Sequence, residues 1–222
     1  MMDLGSAIRG RRSIRAYLTD PVPEEVVRAI LEEARWAPSW TNTQCWDVYV
    51  VTGGPLERIR AANIAKSESG DASTPDIPMP SREWPERFAE RTRRMMERRL
   101  PAATAGGAGG KPDPATSMPA LYGAPCLLVF AADEALVTEY ACFDTALMVQ
   151  NVCLVAQERG LGTCIMAMAI RFADVVRREL PGIEGRRLVI GVALGHPDAD
   201  APINQFQRER ADLSEFVTWV AG

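Results

Sequence analysis

A single mixed α and β domain is the fold that this sequence predicts, and three observations predict it. Stretches with helical spacing of apolar residues alternate with short apolar or β-branched runs, glycine and proline punctuate nearly every junction, and 222 residues at 47% hydrophobic can bury one sizeable core. Residues 3 to 10 read as a short first helix. Pro23-Glu24-Glu25 opens a second that runs to about Trp36, with Val26, Val27, Ile30, Leu31 and Ala34 as its apolar stripe, and Pro38 ends it. Val48 to Thr52 is a β-branched strand, Gly53-Gly54-Pro55 a turn, and Leu56 to Ala65 a return to helical spacing.

From about residue 67 to 120 the composition changes. Pro75, Pro78, Pro80 and Pro85 come first, then an arginine-rich helix from Arg87 to Arg99, then a glycine-alanine run from Ala105 to Gly110. This reads as an inserted, partly mobile excursion and not as a second domain. Glu86, Glu90 and Glu97 interleave with the arginines at helical spacing, which gives a solvated, salt-bridged face. The sharper alternative is a cap over a site, with an arginine facing an anionic substrate or a phosphate of a reduced nicotinamide.

Cys126 to Ala132 is a continuous apolar run that suits a buried central strand. Glu139 to Arg159 is apolar on nearly every face, so it must be buried all round, either against the same helix of a second subunit or as a core helix of a monomer. Gly160-Leu161-Gly162 ends it. Thr163 to Met168 is a short strand, Arg171 to Leu180 a helix stopped by Pro181-Gly182, and Leu188 to Leu194 the last core strand. After Gly195-His196-Pro197 a polar tail with Asn204, Arg208 and Arg210 gives way to an apolar end, Leu213 to Val220, which needs something to dock on.

The bulk numbers exclude several classes. A net charge of −4 gives no electrostatic reason to expect nucleic acid, and no apolar run reaches the roughly 18 residues of a membrane span. Met1 to Arg9 lacks a secretory apolar stretch, so the expected location is the cytoplasm. Five scattered cysteines without a C-x-x-C pair read as small core residues. With His196 as the only histidine, neither a zinc site nor a Ser-His-Asp triad is expected.

Arg11, Arg12 and Arg15 with Ser13 supply fixed charge and a hydroxyl at a spacing that can wrap a phosphate, and Arg208 with Arg210 forms a second such cluster. Basic residues near chain ends are also commonly just solvated. Pro38-Ser39-Trp40-Thr41-Asn42-Thr43-Gln44-Cys45-Trp46 is polar and aromatic and suits a flat heterocycle. Trp40 either packs in a turn or walls a ring. Nothing lowers the Cys45 thiol or supplies a resolving partner, so it reads as packing. Gly160-Leu161-Gly162-Thr163 lacks the spacing of a dinucleotide fingerprint.

Taken in order, these pieces resemble the FMN-dependent nitroreductases. Arg11-Arg12-Ser13-Ile14-Arg15-Ala16-Tyr17 is similar to the family's arginine-serine signature, and Ala37 to Trp46 to its Pro-Ser…Asn-x-Gln-Pro-Trp segment. Asn151 to Cys164 is similar to its central helix running into Gly-Leu-Gly-Thr, and Gly195 to Arg210 to its closing basic motif. Cys45 stands where proline is usual, and Trp40 where a small residue is common.

The resemblance implies an α+β sandwich with a mostly antiparallel sheet flanked by helices, in an intertwined homodimer with FMN at the interface. Arg11, Arg12, Ser13 and Arg15 would then hold the phosphate, ribityl chain and pyrimidine edge, joined near the phosphate by Arg208 and Arg210. Pro38, Ser39 and Asn42, with Trp40 beside the flavin face, would come from the opposite subunit, and Ala167 and Met168 would offer backbone N–H groups near flavin O4 and N5. The implied activity is a ping-pong cycle: hydride passes from NADH or NADPH to FMN N5, then electrons pass to a nitroaromatic, quinone or similar small acceptor. No side chain is then needed as a catalytic acid. The scaffold also hosts dehalogenation, enone reduction, dehydrogenation and flavin fragmentation, and a non-catalytic flavin carrier or sensor is the alternative of a different class.

Overall fold

The computed structural model describes residues 2–79, 83–104 and 117–221. Four strands, β1 (Trp46–Val51), β2 (Cys126–Asp133), β3 (Gly162–Met166) and β4 (Arg186–Gly195), form one antiparallel sheet in the order β1-β2-β4-β3. The two inner strands carry the apolar runs because both of their faces are covered. Leu127, Val129 and Ala131 pack on one side and Cys126, Leu128 and Phe130 on the other. β4 alternates in the same way until its register slips opposite Phe130/Ala131, which puts Leu188 on the Leu127 side although Ile190, Val192 and Leu194 pack with Phe130.

Helices cover both faces. α2 (Glu24–Ala34) and α5 (Thr138–Glu158) close the Phe130 side through Val27, Ile30, Met148, Val152 and Ala156. α3 (Gly53–Ser69) and α6 (Ala173–Glu179) close the other through Leu56, Ile59, Val175 and Val176. Three smaller or outlying helices complete the chain: α1 (Leu4–Gly10), capped by the Asp3 carboxylate on the Ser6 N–H at 3.0 Å, α4 (Glu86–Thr104) and α7 (Pro202–Gln205). The expected α+β sandwich with an antiparallel sheet is therefore present.

Several expected boundaries move. Gly53-Gly54-Pro55 is not a turn but the start of α3, with Gly53 at φ 58°. The strand predicted over Thr163 to Met168 stops at Met166, and Ala167–Ile170 coil into a 3₁₀ turn that packs back on the sheet. The close approach of that turn is possible because position 191 has no side chain: a Cβ there would sit 2.4 Å from the Ala169 Cβ. The arginine-rich helix is longer than predicted and continues through Pro101. The Ala105 to Gly110 run lies outside the described residues. α5 is not buried all round within one chain, since Tyr140 and Phe143 are exposed, Phe143 by 64%. The expectation of burial on every side is therefore not met within a single chain.

Candidate functional site

The N-terminal arginine segment is fixed by what lies between its charges. Ile14 is buried, its N–H bonds the Thr163 carbonyl at 2.9 Å, and Ser13 pairs with Thr163 in parallel. A Cβ on Gly162 would lie 2.5 Å from Ile14 Cγ1, so the absence of a side chain there lets the segment reach the sheet. Further on, Leu18 donates to the His196 carbonyl at 2.9 Å and Asp198 to the Ala16 carbonyl at 3.1 Å. Residues 13 to 18 are thus stitched to the beginning of β3 and to the chain just after β4, and Arg11, Arg12, Ser13 and Arg15 are held at that end of the sheet.

Asn204 brings the C-terminal tail to the same place. It is 5% exposed, its Oδ1 accepts the Arg15 N–H at 2.8 Å, and its Nδ2 donates to the Ala16 and Asp198 carbonyls, both at 2.8 Å. Arg12 donates to the Asn204 carbonyl, and Arg208 to the carbonyls of Arg9 and Arg11. The Arg15 guanidinium lies over the Phe206 ring, 5.9 Å from its centroid. Together with one face of α4 these residues enclose a cavity of about 330 Å³, in which Arg11, Arg12, Ser13, Arg15, Arg208 and Arg210 face Arg91, Arg94 and Arg98.

The charge in this cavity is unbalanced. Among the described residues, none of the guanidiniums of Arg11, Arg12, Arg15, Arg208 and Arg210 is paired with a carboxylate, and the Arg15 Nε is buried without a hydrogen-bond partner. Burial, and then the charges of Arg12, Arg210 and Arg11, hold Arg208 below the usual arginine value. Like charges crowded together and partly desolvated are at high energy until an anion arrives. A phosphate is the ligand that such a fork-donor cluster fits.

The Pro38 to Cys45 segment forms a different surface. Pro38, Ser39 and Trp40 border an apolar hollow of about 650 Å³ with Tyr140, Phe143 and Leu147 of α5, and none of them lines the arginine cavity. Trp40 is 59% exposed and meets Tyr140 edge-on, with centroids 4.7 Å apart. Asp144, buried on α5, accepts the Trp40 N–H at 2.9 Å, and Ser39 Oγ accepts the Gln44 N–H at 2.9 Å. Within this segment Thr41, Asn42 and Gln44 all have positive φ, at 46°, 62° and 51°. Such strain in non-glycine residues gathers at functional sites. One chain therefore separates the two halves of the predicted constellation.

Ala167 and Met168 sit in the 3₁₀ turn after β3, Ala167 exposed and Met168 in the core, and neither lines the arginine cavity. Sequence reasoning missed two neighbours of the arginines. Asn204 was legible only as one polar residue of a tail. Tyr122, at φ 56°, lies beside Arg15 and Cys164; burial pushes its hydroxyl above the usual tyrosine value, so it remains a neutral donor. Burial also raises Cys153 and Cys164 and pushes Cys126 up to about 12. Cys45 is raised by burial and then by Asp144, in keeping with packing and not with redox chemistry. Among the described residues there is no group of three or more His, Cys, Asp or Glu that could hold a metal, and no helix long and apolar enough to cross a membrane.

Comparison with known proteins gives this geometry its context. Residues 8–196 match the model of the nitroreductase family. The chain is 35% identical to nitroreductase NfnB of Mycolicibacterium smegmatis, over 94% of this chain and 88% of that protein. It is 32% identical to nitrobenzene nitroreductase of Ectopseudomonas oleovorans, over 96% and 95%. Among solved structures, the FMN-dependent nitroreductase NfnB from Mycobacterium smegmatis in complex with NADPH superposes with a TM-score of 0.85 at 33% identity, covering 98% of this chain and 97% of that one. A motif order read along the sequence, an antiparallel sandwich and these matches converge: the chain belongs to the nitroreductase family.

Proposed function

We propose that this protein is an FMN-dependent oxidoreductase that takes electrons from NADPH or NADH and passes them to a nitroaromatic, quinone or similar small acceptor. The observation that carries the reading is the set of five guanidiniums without a carboxylate partner among the described residues, gathered at one end of the sheet in a chain whose relatives are described as FMN-dependent nitroreductases. The orphaned Arg15 Nε and the crowding around Arg208 are what a phosphate ester would satisfy.

Arg11, Arg12, Ser13, Arg15, Arg208 and Arg210 would bind the FMN phosphate and the polar edge of the cofactor. Ala167 and Met168 would offer main-chain donors. FMN, when bound, supplies the redox chemistry, accepting two electrons from the nicotinamide and releasing them to the acceptor. The chain's own work is binding, orientation and charge: fixed guanidiniums favour negative charge developing nearby without needing a proton-transferring side chain. Tyr122 would hold its proton and donate a hydrogen bond beside Arg15.

A homodimer completes this reading. Pro38, Ser39, Trp40 and Asn42 stand on the surface apart from the arginine cavity, so they would reach a cofactor bound by a second copy. Apolar surfaces open in one chain, among the described residues, include the Trp40–Tyr140–Phe143 face, the tail with Phe216, Trp219 and Val220, and a groove between α2 and β1 lined by Val27, Leu31, Val48 and Val50. Mutual burial of such surfaces is what drives stable association.

The test is FMN loading followed by anaerobic mixing with NADPH and with NADH. Bleaching of the flavin band, and its return when a nitroaromatic is added, are expected. Protein that takes up no FMN, or FMN that stays oxidised with both nicotinamides, would refute the proposal. Tight FMN binding with slow bleaching would instead assign a carrier.

A further inference from the structure

One arginine of α4 stands apart from its neighbours. Arg91, Arg94 and Arg98 are each paired with a glutamate, and Arg94 and Arg98 are exposed. Arg99 lies four residues beyond the cavity-lining Met95, and so on the same side of the helix, but it is half-buried and joins no ion pair among the described residues. Its Nε is buried without a hydrogen-bond partner. The same is true of Arg15, the deepest charge of the N-terminal segment. A guanidinium withdrawn from water without acceptors is costly, so two of them in one place call for a ligand that brings acceptors.

The two do meet in one place. Burial raises both the Tyr122 hydroxyl and the Cys164 thiol, and the positive charges of Arg15 and Arg99 oppose that rise at each, which sets both guanidiniums within reach of the same two groups. Arg15 arrives from the N-terminal segment, with its Nη1 on the Ser13 carbonyl at 3.3 Å, and Arg99 arrives from α4. Tyr17 and Tyr122 pack on the core there, so the floor is aromatic. The other charges gather elsewhere: Arg208 is bonded to the Arg9 and Arg11 carbonyls and crowded by Arg12, Arg210 and Arg11. A phosphate monoester brings about −2, which those four arginines suffice to balance. What is left for Arg15, Arg99 and the neutral Tyr122 hydroxyl is the acceptor edge of a flat ring.

We propose that Arg99 is a cofactor-binding residue: with Arg15 it holds the N1 and O2 edge of FMN, and it makes the protein bind reduced FMN more tightly than oxidised FMN. The proposal rests on the FMN-dependent activity argued above, and it brings a residue of the 67–120 excursion into the cofactor site. Charge balance gives it a direction. A hydride from the nicotinamide carries one proton and two electrons to a ring that was neutral, and the nicotinamide leaves one charge more positive. The reduced ring then bears one negative charge, shared by N1 and O2, unless N1 takes a proton from water. Two desolvated guanidiniums at that edge favour the anion over the neutral ring.

Dithionite titration of the FMN-loaded protein tests this without either nicotinamide, in the wild type, Arg99→Gln and Arg99→Lys. Arg99→Gln is expected to bind oxidised FMN within about threefold of the wild type and reduced FMN at least roughly tenfold more weakly, which lowers the two-electron midpoint potential by about 30 mV. The pH at which the potential changes from two protons per two electrons to one should rise by about one unit, the same tenfold read as a proton affinity. Arg99→Lys keeps the charge and should recover most of both shifts. If Arg99→Gln does not fold, Arg99→Met, of similar length, reads the same ratio of affinities. Equal weakening of both redox forms would make Arg99 a phosphate or packing residue, and an unchanged potential would remove it from the cofactor; either result overturns the proposal while the oxidoreductase assignment stands. FMN that binds but stays oxidised with both nicotinamides refutes that assignment and not this contact, and a wild type that takes up no FMN overturns both.

Discussion

Asn204→Ala isolates the joint on which the arginine cluster depends. The side chain makes three hydrogen bonds at 2.8 Å each, to the Arg15 N–H and to the Ala16 and Asp198 carbonyls, in a place that is 95% shielded from water. At about 0.5–1.5 kcal/mol for each bond, and with an N–H left buried, the truncation should cost about 3 kcal/mol. For a chain of this length that corresponds to a fall in Tm of about 6–12 °C. The same bonds fix the backbone of Arg15 and, through the Asn204 carbonyl, the side chain of Arg12, so FMN affinity should fall together with stability. Calorimetry on the apoprotein separates the structural loss from the part that bound FMN would add, and flavin fluorescence titration reads the affinity. Asn204→Asp should not rescue either quantity, because it keeps the Oδ1 acceptor but sets a second acceptor against two carbonyls. A variant with the wild-type Tm and FMN affinity would refute the claim that this residue holds the two chain ends together.

Gly162→Ala should destabilise by about 1–3 kcal/mol, since its Cβ would meet Ile14, and Ile14→Ala should recover part of that loss; additive losses in the double-mutant cycle would show that the two residues do not press on each other. Phe143→Glu replaces a side chain that is exposed in one chain, so it should change monomer stability by only about 0.5 kcal/mol. Light scattering should nevertheless find it shifted from dimer to monomer, with weaker FMN retention; a dimer as tight as wild type would place the subunit contact elsewhere. Burial raises the thiols of Cys153 and Cys164 and takes Cys126 to about 12, so at pH 8 the thiolate fraction of Cys126 is about 10⁻⁴. A disulfide reagent should therefore label these three slowly in the folded protein and all five cysteines once it is unfolded, and rapid labelling of the folded protein at Cys126 would contradict the packing.

The strands and helices that carry long apolar runs were legible because burial on both faces leaves an unbroken pattern. β2 and α5 fall within a residue or two of where the sequence put them. The Gly53-Gly54-Pro55 stretch was misread because glycine and proline signal turns locally, while Leu56 and Ile59 reward continuing the helix down to Gly53. The arginine clusters could be named from spacing and family resemblance, but their joining could not. It depends on Asn204, 189 positions from the backbone it holds, and on the missing side chains of Gly162 and Gly195, which only the packed structure explains. Tyr122 carried no signal at all, since its role follows from a strained turn at Leu121 and Tyr122 that no local motif announces.

The Pro38 to Cys45 segment sharpens the case for a second subunit. Three residues there have positive φ, and at about 1–3 kcal/mol each they store several kcal/mol of strain. Against this the chain itself sets the Asp144 bond to the Trp40 N–H, the Ser39 bond to the Gln44 N–H, the turn bonds from the Asn42 and Thr43 N–H groups to the Ser39 and Trp40 carbonyls, the Gln44 side-chain amide on the Asn42 carbonyl and one edge-on ring contact. A hydrogen bond to a buried carboxylate contributes about 1.5–3 kcal/mol and a neutral one about 1, so these contacts only about balance the strain. A surface that protrudes, is strained and is supported only to break-even is a poor design for a monomer. It is a reasonable one for a segment whose remaining contacts lie on another copy. The same reasoning makes a quantitative demand: Asp144→Ala removes the strongest of the internal supports, so it should weaken the dimer and FMN binding more than it lowers the stability of the isolated subunit. Equal losses in all three would mean that Asp144 serves the core alone.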